Sequence, residues 1–225
     1  AWTQKRKEQI VKSRVLTTRL LYSKTTQLNL PISAFIAASA VGIYGAQISE
    51  KVFNEEDQPF EDFMGNCCKQ WENSVDKFEK TCRVVKLRLG VILDKNQGAL
   101  PKIANMVKNG IGSPLGDGQQ FMPWIHIEDA VNIFFESVLN EKISGTFNTV
   151  SNDYITNSEL TKKIGKVFNK KIWLPNIPSF VLKFLYGEMS DTILKGVKVS
   201  NEKLKKIELK LKYEKIEDAL LEIYS

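Results

Sequence analysis

Two short apolar runs, "LPISAFIAAS" at residues 30–39 and "RVVKLRLGVIL" at 83–93, constrain the fold of this chain most. Neither run shows the polar alternation of a strand with one face in water, so each is typical of a strand buried on both faces of a parallel sheet. Between them, residues 60–78 place apolar side chains at steps of three and four, which predicts a long amphipathic helix. This alternation predicts an α/β fold with a parallel sheet and flanking helices.

The remaining segments continue the alternation. Residues 6–23 and 98–110 are expected to be helical, and "WIHI" and "GTFNTV" are expected to be strands. Asp129 is placed to open a helix after "WIHI", as an N-cap or as a substrate contact. Thr156 and Glu159 have the spacing of a capping box, which predicts a helix that extends to about residue 168.

Composition excludes several classes of function. No run approaches 18 apolar residues and the first residues do not resemble a signal peptide, so we expect no membrane partner. The net charge is +6, but the lysines of residues 195–215 alternate with glutamates and without stacking aromatics, so we expect a solvated helix face and no nucleic-acid partner. The chain begins at Ala1 on a charged helix, and we expect it to be a fragment.

The three cysteines, Cys67, Cys68 and Cys82, are an odd number without metal-ligand spacing. They indicate reduced thiols in a cytoplasmic protein without a metal site. Cys68 lies on the apolar stripe of helix 60–78, where core packing explains it better than nucleophilic chemistry. His126 is the only histidine, and as a strand-end residue it has either a structural hydrogen bond or an acid–base role. The glycine loop at 110–118 lacks the order of a phosphate-binding loop, and Ser39 does not lie in a nucleophile elbow.

Seven segments appear in an order and at a spacing that resemble a known family. They are "SRVLTTRLL", "SAVGIYG", "DFMGNCCKQWE", "VVKLRLGVIL", "GDGQQFMPWIHIEDAV", "GTFNTVSNDYITNSEL" and "LKGVKVSNEKL". Together they resemble the NAD(P)-dependent epimerase-like branch of the atypical extended short-chain dehydrogenase/reductases, the nucleoside-diphosphate-sugar epimerase-like proteins. The resemblance covers almost the whole chain.

This resemblance implies a Rossmann-type sheet, of which residues 1–150 are the remainder, followed by a small C-terminal α/β substrate domain at 151–225. The loop at 94–123 is expected to reach toward that domain. In such folds a glycine-rich turn holds the dinucleotide pyrophosphate on a helix N-terminus. The sequence given has no such turn, and by the family's order it starts after the fourth strand. We therefore expect an N-terminal truncation, and weak or no binding of NADP(H) or NAD(H) by this piece alone.

The family's working enzymes use a tyrosine and a lysine four residues apart on one helix for proton transfer. By the resemblance, these positions fall on Met64 and Cys68, which cannot do that work. The helper Ser/Thr falls on Ala40, next to Ser39, and the usual asparagine falls on Ser13. All four positions depart from the dehydrogenase pattern.

The predicted site residues follow from the strand ends and from the resemblance. We assign possible catalytic roles to Ser39, Tyr44 and His126. The cofactor-binding residues are predicted to be Ser39, Leu89, Gly90 and Val91. The substrate-binding residues are predicted to be Arg88, Gln119, Gln120 and Trp124.

Three functional hypotheses stay open at this point. The first is an NAD(P)(H)-dependent epimerase or reductase with altered chemistry, on a small substrate that the resemblance implies to be nucleotide-sugar-like. The second is a non-catalytic NADP(H)-binding regulatory module, and the third is an interaction protein. Loss of the general acid typically costs about 100- to 10,000-fold in rate, so slow turnover is compatible with the sequence. The resemblance also suggests a homodimer through helices 6–23 and 60–78.

Overall fold

The computed structural model describes residues 2–225, which form nine α-helices and seven strands. The helices are α1 (Gln4–Gln27), α2 (Phe63–Val75), α3 (Leu100–Lys108), α4 (Ile127–Leu139), α5 (Asn157–Val167), α6 (Ser179–Tyr186), α7 (Asp191–Leu194), α8 (Glu202–Lys206) and α9 (Ile216–Tyr224). The strands are β1 (Ala34–Ala40), β2 (Ile48–Phe53), β3 (Arg83–Leu89), β4 (Val91–Leu93), β5 (Trp124–His126), β6 (Gly145–Thr149) and β7 (Gly196–Val199). Short 3₁₀ turns span Val41–Tyr44, Asp76–Lys80 and Gly187–Ser190.

The central sheet has three parallel strands in the order β1-β3-β6. Its register pairs Ser39 with Arg88 and Ala40 with Leu89, and it pairs Arg88 in turn with Asn148. The carboxyl ends of these strands therefore meet at one edge of the sheet. The predicted α/β class with parallel strands and flanking helices is confirmed.

The apolar run at 83–93 was expected to be one strand, and this expectation is wrong. The chain changes sheets at Gly90, because β3 pairs with β1 and β6 whereas β4 pairs with β5. A Cβ atom on Gly90 would lie 2.7 Å from the backbone oxygen of Pro123, and the Val91 amide donates to that oxygen at 2.7 Å. Only glycine allows this close approach of two backbones.

A further parallel pair, β2 with β7, has no counterpart among the sequence expectations. Most of β2 is exposed, and only Phe53 at its end is buried. The strand therefore lacks the continuous apolar run by which β1 and β3 are recognised. Its pairing with β7 joins the segment after β1 to residues near the C-terminus.

Helices α1 and α2 pack against each other within the chain. The rings of Trp2 and Phe63 meet edge to face with centroids 4.8 Å apart, and the Arg14 guanidinium lies over the Trp71 ring at 5.2 Å. Asp62 caps α2, because its carboxylate accepts from the Gly65 amide at 2.7 Å. The predicted helices at 6–23 and 60–78 are confirmed, and the second continues as a 3₁₀ turn to Lys80.

Helix α4 begins three residues earlier than an N-cap at Asp129 would place it. His126 is its N-cap, and His126 Nδ1 accepts from the Glu128 amide at 3.2 Å. Asp129 lies inside the first turn, where its carboxylate accepts from the amides of Lys212 and Tyr213 at 2.7 and 3.0 Å. The N-cap assignment of Asp129 is therefore wrong, and its carboxylate instead holds a distant loop.

Residues of the 94–123 segment share a buried apolar cluster with the C-terminal part of the chain. This cluster includes Leu100, Val107, Leu160, Ile164 and Leu220. Thr156 and Glu159 form the predicted capping box at the start of α5. The division into domains 1–150 and 151–225 stays a prediction.

Within residues 2–225, no helix combines the length and the apolar character needed to cross a bilayer. All three cysteines are free thiols, two of them buried.

Candidate functional site

The strand ends of the central sheet surround a buried polar network, defined here as Ser39, Tyr44, Glu72, Arg88 and Asn148. Ser39 lies on β1, Arg88 on β3 and Asn148 on β6, at adjacent register positions. Each of the five residues is at most 6% exposed. Polar groups buried so completely must find hydrogen-bond partners inside the protein, and these five find them largely in one another.

The centre of the buried polar network is an ion pair between Arg88 and Glu72. Arg88 Nε donates to Glu72 Oε1 at 2.9 Å, and Arg88 Nη2 donates to Glu72 Oε2 at 2.8 Å. Ser39 Oγ also donates to Glu72 Oε1, at 2.6 Å. Burial lowers the pKa of Arg88, but the hydrogen bonds to Glu72 and the proximity of Tyr44 outweigh that effect and leave this pKa above its usual value. The ion pair holds helix α2 against strand β3, and the hydrogen bond from Ser39 holds it against β1.

Tyr44 extends the network toward β6. Its hydroxyl accepts from Arg88 Nη1 at 3.0 Å, and it lies 2.7 Å from Asn148 Oδ1 and 2.8 Å from the Asn54 carbonyl oxygen. Burial raises the pKa of Tyr44 to about 12, against the lowering effect of Arg88. The phenol therefore keeps its proton at neutral pH and donates it to one of two oxygen acceptors.

The segment that follows β2 closes one side of this network. The Glu55 carboxylate accepts from the backbone N–H of Asn148 at 2.7 Å, and the Glu55 carbonyl oxygen accepts from Arg88 Nη1 at 3.3 Å. Tyr44, Arg88 and Asn148 are therefore held from the loop side as well as from the sheet. This arrangement fixes the strand ends and leaves the three side chains no exposed hydrogen-bonding surface of any size.

Met64 and Cys68, on which the resemblance places the expected tyrosine and lysine, lie beside the turn after β1. A Cβ atom on Gly42 would lie 2.9 Å from Met64 Cε and 3.8 Å from Cys68 Sγ. Met64 is half-buried and Cys68 is buried. Burial raises the pKa of the Cys68 thiol to about 12, so this thiol is neutral and is a poor nucleophile at pH 7.

His126 lies apart from the buried polar network, in the β4–β5 pair. Its Nε2 atom is 2.9 Å from Glu222 Oε2, and its ring packs on Tyr213 with centroids 4.0 Å apart. Because Nδ1 accepts from the Glu128 amide, the proton of the neutral ring resides on Nε2 and is donated to Glu222. The structure thus joins Ser39 and Tyr44 and does not join His126 to them.

The predicted substrate-side residues are also dispersed. Gln120 is 6% exposed, and its Nε2 donates to the carbonyl oxygens of Leu115 and Ile193, whereas Oε1 has no protein partner among the described residues. Gln119 is exposed, and Trp124 is buried with its indole N–H donated to the Asp153 carbonyl oxygen at 3.1 Å.

The predicted cofactor-side residues Leu89, Gly90 and Val91 are half-buried at the end of β3. The Gly90 amide donates to Thr149 and the Val91 amide donates to Pro123. A dinucleotide at this edge would therefore meet the surface of these residues and would not meet free N–H donors. Ala40 ends β1 and Gly42 lies in the 3₁₀ turn that follows; both are small and half-buried, and the side of Gly42 on which a Cβ would lie is already filled by Met64.

Sequence reasoning missed Glu72 and Asn148. A usable signal for Glu72 was present, because it follows Cys68 by four residues and precedes Val75 by three, which places a carboxylate on the buried face of the predicted helix. Arg88, in the middle of an apolar strand, was its natural partner. Asn148 carried no comparable signal.

The parallel sheet and its flanking helices define an α/β protein of the Rossmann type. Residues 177–223 match the family model described as "Domain of unknown function (DUF1731)". The chain is 34% identical to the epimerase family protein YfhF of Bacillus subtilis over 224 residues, which are 99% of this chain and 73% of the relative. The chain belongs to this epimerase family.

A second relative is the chloroplastic SDR39U1 homologue of Arabidopsis thaliana, also an epimerase family protein, at 34% identity over 97% of this chain. The chain spans 63% of the length of that relative. The crystal structure of human SDR39U1 isoform 2 with NADPH superposes with a TM-score of 0.93 at 27% identity, over 99% of this chain and 76% of that one. The sequence-based recognition of the family is confirmed.

Proposed function

We propose that this protein is an NAD(P)(H)-dependent epimerase- or reductase-like protein that acts on a small, nucleotide-sugar-like substrate. The observation that carries the proposal is the register of the central sheet, which brings Ala40 and Leu89 side by side at its carboxyl edge. In open α/β sheets this edge is where ligands bind. The NADPH in the structure of human SDR39U1 favours NADP(H) over NAD(H) here.

The residues at this edge suit the nicotinamide end of a dinucleotide. Ala40, Gly42 and Leu89 offer small or apolar half-buried surface, and the buried polar network behind them keeps the strand ends fixed. A bound NADP(H) would supply a hydride, and the chain's own residues would orient the ring and exclude water. Ser39, Tyr44 and Arg88 then act as positioning residues, because their polar atoms are engaged inside the protein.

The second candidate function is a cofactor-binding regulatory protein without turnover. Met64 and Cys68 stand where a proton-transferring pair is expected from the resemblance, and the raised pKa of Tyr44, about 12, makes it a poor acid. Both features favour a protein that binds the dinucleotide but does not catalyse a reaction. The cytoplasmic location, the homodimer through α1 and α2 and the roles of Gln119, Gln120, Trp124 and His126 stay predictions.

Titration of NADPH into the product of the complete coding sequence tests both candidates. Both require saturable binding, followed by the fluorescence of the reduced nicotinamide, and binding that is weaker for NADH. Turnover of a sugar nucleotide then separates the enzyme from the regulator: a reductase consumes NADPH, whereas an epimerase changes the configuration of the sugar without net consumption of the dinucleotide. Absence of saturable binding of either dinucleotide would rule out both and leave an interaction protein.

A further inference from the structure

The helix α6 presents an apolar face to solvent within the described structure. Phe180 and Phe184 are 72% and 89% exposed, and they lie four residues apart, on the same face of the helix. Leu182, halfway between them in sequence, points the opposite way and is 5% exposed. An ordinary surface helix has its polar residues on the solvent side. Helix α6 departs from that pattern, because apolar residues occupy its solvent side as well.

The sequence that leads into α6 is rich in lysine. From residue 160 to residue 187 the chain has no aspartate or glutamate and six lysines, at positions 162, 163, 166, 170, 171 and 183. Lys183 lies on α6 itself and is exposed, and Lys170 and Lys171 are exposed in the segment that leads to it. Trp173 in that segment is 71% exposed.

Against the sequence-based expectation of no membrane partner, we propose that α6, with Phe180 and Phe184 as its inserting side chains, docks on an anionic lipid surface. Exposed phenylalanines and a tryptophan next to lysines are the composition of helices that lie in a membrane interface. The lysines gain energy near anionic headgroups, whereas in a protein groove they would need matching carboxylates. The docking is peripheral, since α6 has only eight residues.

Helix α4 offers a matched contrast. It also exposes apolar side chains, with Val131 59% and Phe135 58% exposed. Its sequence "IEDAVNIFFESVL" holds three acidic residues, of which Asp129 is buried, and no lysine or arginine, so the helix has no positive charge to attract an anionic surface. If exposed apolar area alone decided, α4 and α6 would bind a lipid surface equally well. Because only α6 carries a lysine, only α6 is suited to an anionic lipid surface.

Sedimentation with lipid vesicles tests the proposal on the 225-residue protein. We use vesicles of equal parts phosphatidylcholine and phosphatidylglycerol, and vesicles of phosphatidylcholine alone. The protein should pellet with the mixed vesicles and not with phosphatidylcholine, and added salt should release it. Joint substitution of Phe180→Ser and Phe184→Ser should weaken vesicle binding at least about tenfold, because it removes the inserting rings. The control variant with Phe135→Ser should bind the mixed vesicles as strongly as the unmodified protein does.

Several results would overturn the proposal. They are no pelleting with the mixed vesicles at low salt, equal pelleting with phosphatidylcholine alone, or equal losses from the α4 and α6 substitutions. Size-exclusion chromatography without lipid provides one more. If the unmodified protein elutes as an oligomer that the paired α6 substitution dissociates, and neither binds vesicles, the face is a contact between copies. Circular dichroism of each variant confirms that the fold is kept.

Discussion

The buried ion pair between Glu72 and Arg88 gives the sharpest test of the fold. Replacing Glu72 by Gln removes the negative charge and leaves the Arg88 side chain, 7% exposed, without its counter-ion. Breaking one partner of a buried pair typically costs about 3–5 kcal/mol. For a chain of this size each kcal/mol lowers the melting temperature by roughly 2–4 °C, so Glu72→Gln should lower it by about 6–20 °C.

The pair also predicts how substitutions combine. Arg88→Met alone should be strongly destabilising, because it leaves the Glu72 carboxylate buried with only Ser39 to bond. The double variant Glu72→Gln with Arg88→Met should cost less than the sum of the two single variants, by about 0.5–3 kcal/mol. A surface pair supplies the control, since Glu8 and Lys12 are 3.5 Å apart and half-exposed. Glu8→Gln should change the free energy of unfolding by less than about 0.5 kcal/mol.

Urea denaturation followed by tryptophan fluorescence measures all four variants. The reasoning about the network is refuted if Glu72→Gln costs no more than Glu8→Gln. It is also refuted if the costs of Glu72→Gln and Arg88→Met simply add.

Three further predictions concern pH and local packing. Burial raises the folded-state pKa of Tyr44 and of Cys68 to about 12, from values near 10 and 9 in the unfolded chain. Both groups are therefore protonated more readily in the folded state, and this stabilises the fold fully below the unfolded pKa values. The stabilisation is lost as pH rises toward 12. A pH series of unfolding should therefore show stability falling from about pH 9 upward, less steeply in a variant with Tyr44→Phe and Cys68→Ala; an unchanged slope would contradict this. Gly90→Ala should cost about 1–3 kcal/mol in calorimetry, since its Cβ would lie 2.7 Å from a backbone oxygen of Pro123, and a neutral result would refute that close approach. Thr156→Ala should cost about 1 kcal/mol by breaking the capping box of α5, while Thr156→Ser should restore most of it.

The α/β class and most central elements could be predicted because their signals are local. The strand β1 and the helix α2 each show a continuous run or a periodic stripe that needs no knowledge of partners. The end of β3 could not be predicted, because "RVVKLRLGVIL" reads as one continuous strand and the change of sheet at Gly90 depends on Pro123, more than 30 residues away. The pair of β2 and β7 was missed for the same reason, since its strands are short and β2 is largely exposed.

For the candidate site, the positions of the residues in the fold could be predicted better than their roles. Ser39 and Arg88 were expected at the strand ends and lie there in register. Their orientation into a buried network depends on Glu72, which comes from a different element, and no pattern within one strand reports such a partner. His126 shows the same limit, because its bond to Glu222 joins residues 96 positions apart.

Hydrogen exchange of the complete gene product, with and without saturating NADPH, tests the central claim most directly. The claim is that the carboxyl ends of β1 and β3 form the surface on which the nicotinamide rests. NADPH should slow exchange in the segments 39–44 and 89–92, and the exposed helix α6 should exchange as before. Saturable NADPH binding that leaves both strand-end segments unchanged, and protects amides elsewhere, would contradict it.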